Sequence, residues 1–97
     1  MASYITLDLA VDPAHIDAFM AFIKERLPET RAYAGYQSLD VLVDQDKPGH
    51  VLFYEVWETR AHHEQYLAWR TETGALAELG EMLTAPPAFA YFERNEV

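Results

Sequence analysis

The sequence contains no cysteine. That excludes disulfides, thiol nucleophiles and thiolate metal sites, and it fits a cytoplasmic protein. No uninterrupted apolar run approaches bilayer length, so no membrane-spanning helix is expected. Met1-Ala2-Ser3 leads straight into a strand-like alternation with no basic region and no apolar signal core, so no export signal is expected. The four glycines stand singly, which leaves no Gly-rich loop to cradle a nucleotide phosphate. Basic residues are few. Seven Lys and Arg face 16 Asp and Glu, for a net charge of −9. Such a surface repels phosphate backbones and anionic lipids, so neither nucleic acid nor membrane is expected as a partner.

Two further motifs are missing. His63-Glu64 is followed by Leu67 where a zinc helix would place its second histidine. Adjacent His62 and His63 point about 100° apart on a helix and do not easily share one ion. No metal site is expected. Ser3 and Ser38 are the only serines, and neither lies on a sharp strand-to-helix turn, so a serine triad is discounted.

What is present is a core. The 97 residues are 51% apolar, enough for one domain over 1–97 and too short for two. The organising stretch is Tyr36–Glu58. Two apolar, β-favouring runs, Leu39 to Val43 and Val51 to Trp57, flank Asp44-Gln45-Asp46-Lys47-Pro48-Gly49, which reads as a hairpin loop. This pair is expected at the centre of a sheet.

Tyr4–Val11 alternates, with Ile5, Leu7, Leu9 and Val11 on one face, and predicts a strand. Asp12-Pro13 starts a helix, Asp as N-cap and Pro at the first position. Ile16, Phe19, Met20, Ile23 and Leu27 supply its buried stripe, and Pro28 should end it or nearly so. Glu29–Gly35 is then a connector. Thr59 caps a second helix, roughly Arg60–Arg70, with His62, Tyr66 and Trp69 on one stripe. Thr71-Glu72-Thr73-Gly74 interrupts, and Leu76, Leu79 and Leu83 make a short third helical stripe. Ala85-Pro86-Pro87 stops it, and Ala88–Glu93 alternates as a last strand. The order is β-α-β-β-α-β with the second helix broken in two, an α+β ferredoxin-like arrangement with an antiparallel four-stranded sheet.

The second strand of the hairpin is apolar on both faces. Val51, Phe53, Glu55 and Trp57 share one face, and Leu52, Tyr54 and Val56 the other. Helices on one side cover only one face, so a second subunit is expected over the other, giving a homodimer.

Between sheet and helices the order of elements forms a cleft. Glu55 and Trp57 lie on its sheet side, and His62, Tyr66 and Trp69 on its helix side. Together they line an aromatic pocket with a few polar groups. Glu55 beside Trp57 is a candidate base whose burial would raise its pKa. The plainer reading makes Trp57 core, Tyr66 and Trp69 a packing stripe, and Glu55 the partner of Arg60, Arg31 or Arg94.

Gly35-x-x-x-x-Asp40-Val41-Leu42-x-Asp44 followed by Val51-Leu52-Phe53-Tyr54-Glu55-Val56-Trp57-Glu58 resembles the antibiotic biosynthesis monooxygenase family. That family includes small quinol monooxygenases and haem-degrading enzymes. Length and element order agree over nearly the whole chain, and Glu55-x-Trp57 is the most specific piece. The resemblance implies a dimeric α+β barrel. It also implies cofactor-independent oxygenation of a small aromatic or quinol by molecular oxygen, without metal or flavin. The resemblance carries over a pocket role for Tyr66; with the pocket read from the residues, the expected catalytic set is Glu55, His62 and Tyr66, with Trp57, Trp69 and Phe53 against the substrate. The chain departs from the family's second-helix histidines. Tyr66-Leu67 stands where many members carry His-Leu, and Thr71-Glu72 where they carry His-Phe. Near Ala75-Leu76 there is no axial histidine, which speaks against haem degradation. A non-catalytic dimeric ligand-binding or stress-associated domain of the same fold is the alternative.

Overall fold

The computed structural model describes all 97 residues. Four strands and three α-helices follow in the order β1 (Ser3–Ala10), α1 (Ile16–Ala32), β2 (Tyr36–Val43), β3 (His50–Trp57), α2 (Arg60–Glu72), α3 (Ala75–Glu81) and β4 (Ala88–Phe92), with a single 3-10 turn at Pro13–His15. The sheet order is β2-β3-β1-β4, and every pairing is antiparallel. This is the expected ferredoxin-like α+β arrangement. No helix is long and apolar enough to cross a membrane.

The hairpin is not the centre of the sheet. β1 pairs with both β3 and β4, so β1 and β3 form the middle and β2 is an edge. The cause lies in β1: Ile5, Leu7 and Leu9 are all buried, and a strand with so apolar a face gains most where strands flank it on both sides. β2 carries Gln37, Ser38 and Asp40 to the solvent, which suits an edge.

The hairpin loop is fixed by its own side chains. Asp44 Oδ1 accepts from the backbone N–H of Asp46 at 2.9 Å and of Lys47 at 3.1 Å. Asp44 Oδ2 lies 2.7 Å from His50 Nδ1, and His50 Nε2 lies 2.9 Å from Asp8 Oδ1. Gly49 has a φ of +85°, and a Cβ there would stand 2.4 Å from the Val11 carbonyl oxygen. Only glycine fits that approach.

α1 presents Phe19 and Ile23 to the sheet, and they join Leu7, Leu9, Val11, Val51, Phe53 and Leu79 in one core. The helix runs on past Pro28 to Ala32, where the sequence had it stop. Proline removes one N–H and crowds the carbonyl four residues back, but Pro28 is exposed, so water can solvate that carbonyl. Thr30, 3% exposed, anchors the following turn. Only Tyr33 to Gly35 then connect α1 to β2. The Thr59 hydroxyl accepts from His62 N–H at 3.1 Å, which confirms it as the cap of α2. Leu83 is not on the third helix. α3 ends at Glu81, and Leu83 makes an isolated bridge with Val11.

The other sheet face has no cover within the chain. Leu42 is 50% exposed, Tyr54 38% and Phe92 54%. The Tyr4 and Tyr54 rings stack across β1 and β3 at 6.5 Å.

Candidate functional site

β3 ends with Glu55 and Trp57 two residues apart, so both side chains point to the helix side of the sheet. The Trp57 indole N–H donates to Glu55 Oε1 at 2.9 Å. Glu55 is 3% exposed, and no arginine reaches it. Of the three partners considered, Arg60 instead pairs with Glu64 and lies over the Tyr91 ring, and Arg94 lies over Tyr4. Burial raises the Glu55 pKa, and the Trp57 hydrogen bond offsets part of that rise.

Facing Glu55 from the first turn of α2 is His63, fully buried. Its Nε2 stands 3.8 Å from Glu55 Oε1 and has no hydrogen-bond partner. Its Nδ1 lies 2.8 Å from the Tyr91 hydroxyl oxygen. Burial lowers the imidazole pKa to about 4, so His63 is neutral at pH 7. Burial also raises the Tyr91 hydroxyl.

A second polar group lies one to two turns further along α2. The Arg70 Nε–H donates to the Tyr66 hydroxyl oxygen at 2.9 Å. Arg70 Nη2 donates to the Arg26 carbonyl at 3.0 Å and to Thr30 Oγ1 at 3.1 Å, and Nη1 to Glu29 Oε1 at 3.3 Å. Thr30 Oγ1 and the Tyr66 hydroxyl share a 2.7 Å hydrogen bond. The guanidinium is 5% exposed, while its one carboxylate partner, Glu29, is 57% exposed. A cation is thus held inside by α1 and α2 together, with most of its N–H groups satisfied.

Between the two groups lies a cavity of about 70 Å³. Glu55, His63, Tyr66, Arg70, Thr30 and Arg26 supply its polar lining, and Leu7, Phe53, Leu67 and Phe89 contribute to its apolar walls. An engineered cavity of roughly 150 Å³ is known to hold one benzene ring. This one must therefore widen to admit an aromatic ring.

Three of the six residues singled out in the sequence line this cavity: Phe53, Glu55 and Tyr66. Trp57 stands behind Glu55, fully buried, with its ring 4.9 Å from that of Tyr66. Trp69 stacks on Tyr33 at 5.4 Å, off the lining. His62 is not part of the cavity either. Its Nδ1 lies 2.7 Å from Thr59 Oγ1, and its side chain covers Gly35. Of the two adjacent histidines it is His63, not the expected His62, that lines the cavity, and Arg70 lines it as well. Both were accessible: His63, Tyr66, Leu67 and Arg70 fit the i, i+3, i+4, i+7 rule of a buried stripe. The stripe expected from the sequence, His62, Tyr66 and Trp69, shares only Tyr66 with it. No group of three His, Asp or Glu side chains is placed to hold a metal ion.

Fold and cleft together define a small α+β protein with a buried acid–imidazole pair and a tyrosine–arginine pair lining one largely apolar cavity. The family model for antibiotic biosynthesis monooxygenase matches residues 4–73. The chain belongs to that family. Solved structures agree on the fold. A crystal structure of an antibiotic biosynthesis monooxygenase superposes with a TM-score of 0.84 at 24% identity, covering 99% of this chain and 100% of that one. A conserved protein from Methanosarcina mazei Go1 gives 0.89 at 18% identity, covering 98% and 94%. A monooxygenase from the ActVA-Orf6 gene of Streptomyces coelicolor, in complex with nanaomycin D, gives 0.81 at 18% identity, covering 99% and 89%. No curated protein matches the sequence.

Proposed function

We propose that the protein is a cofactor-independent monooxygenase that oxidises a small aromatic or quinol-type substrate with molecular oxygen. The observation that carries this reading is the buried Glu55–His63 pair facing a largely apolar cavity that Tyr66 and Arg70 also line. A buried carboxylate with a raised pKa is a stronger proton acceptor than a free one, and the neutral imidazole beside it can hold the substrate by a hydrogen bond. The Tyr66 hydroxyl and the Arg70 guanidinium are suited to a developing oxyanion. Removing a proton from an acidic C–H or phenolic O–H leaves an electron-rich anion that can reduce oxygen. For a CH₂ flanked by aromatic rings the balance is simple. One oxygen atom enters as C=O, and the other leaves as water with the two hydrogens.

The relative whose structure holds nanaomycin D supports a small-molecule ligand for this fold. In this reading Glu55 is the base, as expected, Tyr66 is a hydrogen-bond donor in the pocket, and Phe53 forms part of the substrate wall. His63 takes the place expected of His62. The uncovered face with Leu42, Tyr54 and Phe92 supports a homodimer in which two sheets meet face to face.

The test is oxygen uptake by metal-stripped protein given reduced quinols and anthrones, against a blank without enzyme. Uptake above the blank is expected, reduced about 100-fold or more in Glu55→Gln and in Tyr66→Phe. The 70 Å³ cavity favours a second reading, a domain of the same fold that binds a small ligand without turning it over. Binding without uptake across the panel would select that reading.

A further inference from the structure

His63 Nε2 and Glu55 Oε1 are 3.8 Å apart, too far for a hydrogen bond and close enough to share one. Neither atom is otherwise used up. Nε2 has no partner. Oε1 accepts only from Trp57, and a carboxylate oxygen can take a second donor. Leaving a buried ring nitrogen unpaired costs stability, and native proteins rarely do so without a reason. An oxygen placed about 2.8 Å from each atom would span the gap with an angle of about 85° at that oxygen, close to what one hydroxyl can serve.

We propose that this gap is the docking point for a hydroxyl group of the ligand, with the rest of the ligand lying along the apolar cavity toward Tyr66. The choice of a hydroxyl follows from the pair's chemistry. Tyr91 can give its proton to His63 Nδ1 across their 2.8 Å contact, which leaves Nε2–H as a donor. Glu55 Oε1 is an acceptor. Only a group that both accepts and donates at one atom satisfies the two together. A methyl ether accepts but does not donate. A ligand carboxylate would meet Glu55 charge against charge. The hydroxyl is thereby singled out from the other oxygen functions an aromatic ligand carries. When the site is vacant, water can take the same place. The proposal rests on the reading of this cavity as a site for small aromatic ligands, and it requires no turnover.

The experiment is therefore run under nitrogen. 1-Naphthol and 1-methoxynaphthalene are titrated by calorimetry into the whole protein, as wild type and His63→Phe. Wild type is expected to bind the naphthol at least about tenfold more tightly, the usual effect of a hydrogen bond involving a charged group. His63→Phe should reduce that preference to about twofold or less. A second readout needs no variant. In ¹⁵N spectra of wild type, the His63 Nε2 resonance should move on adding naphthol and stay in place with the ether. Equal affinities for the two probes, or binding of neither, would overturn the proposal. So would a preference for naphthol that leaves the His63 resonance unmoved and disappears in Tyr66→Phe, since that puts the hydroxyl at the other end. Discriminated binding without oxygen uptake in air would contradict the oxygenase reading alone.

Discussion

His63 is uncharged in the native protein near neutral pH because burial lowers its pKa from 6.5 to about 4. Between those values the unfolded chain binds a proton that the folded chain does not. Stability from this residue is therefore intact above pH 6.5 and falls as pH drops toward 4, by about 3 kcal/mol in full. Glu55 has the opposite sign. Its raised pKa lets the folded state keep a proton that the unfolded state has already released, and this favours folding at the acid end. Chemical denaturation at pH 7 and pH 4.5 separates the two. Wild type should lose about 2 kcal/mol or more relative to His63→Phe across that interval; equal losses would show that His63 is not buried neutral. At this scale the sequence was half legible. Glu55, Phe53 and Tyr66 could be placed from strand alternation and helix period. His63 and Arg70 share the helix stripe of Tyr66 and Leu67, but a histidine and an arginine carry no apolar signal of their burial. What buries them is tertiary structure: Tyr91 and Glu55 beside one, Thr30, Tyr66 and the Arg26 carbonyl around the other.

Elements were more legible than residues. All four strands and three helices were readable from periodicity, caps and breakers, because each signal is local. The misses were of two kinds. Sheet order is non-local, and a strong hairpin signal says nothing about which of its strands will find another neighbour. Helix ends were misjudged where one local rule met a tertiary anchor, as at Pro28. That gives a prediction. Pro28 sits inside α1 and is exposed, so Pro28→Ala should stabilise the protein by about 1–3 kcal/mol, seen as a higher denaturation midpoint at unchanged m-value. Gly35 should behave in the opposite way. Its φ is +91°, and an added Cβ would lie 2.4 Å from His62 Cβ. Gly35→Ala should cost about 1–3 kcal/mol in the same assay, by moving the start of α2 that carries His63. A neutral result would mean the α1–β2 connection can relax without disturbing α2.

At the scale of the whole molecule, one sheet face is covered and the other is not. Leu42, Tyr54 and Phe92 lie on the open face with the stacked Tyr4–Tyr54 pair. Light scattering at micromolar concentration should give twice the 11.1 kDa chain mass, and Tyr54→Lys should shift it toward one chain. A wild-type monomer would contradict the dimer. Residues 1–97 are expected to unfold as one cooperative unit, with fluorescence and far-UV dichroism changing together.

The central claim is that a buried acid–imidazole pair lets this chain drive oxygenation with only substrate and oxygen. The most direct measurement is the mass of the product formed under ¹⁸O₂ by metal-stripped protein, using an anthrone as substrate. One ¹⁸O atom per product molecule above the enzyme-free blank, lost in Glu55→Gln, is the predicted result. Product no richer in label than the blank, or a label that persists undiminished in Glu55→Gln, would contradict it.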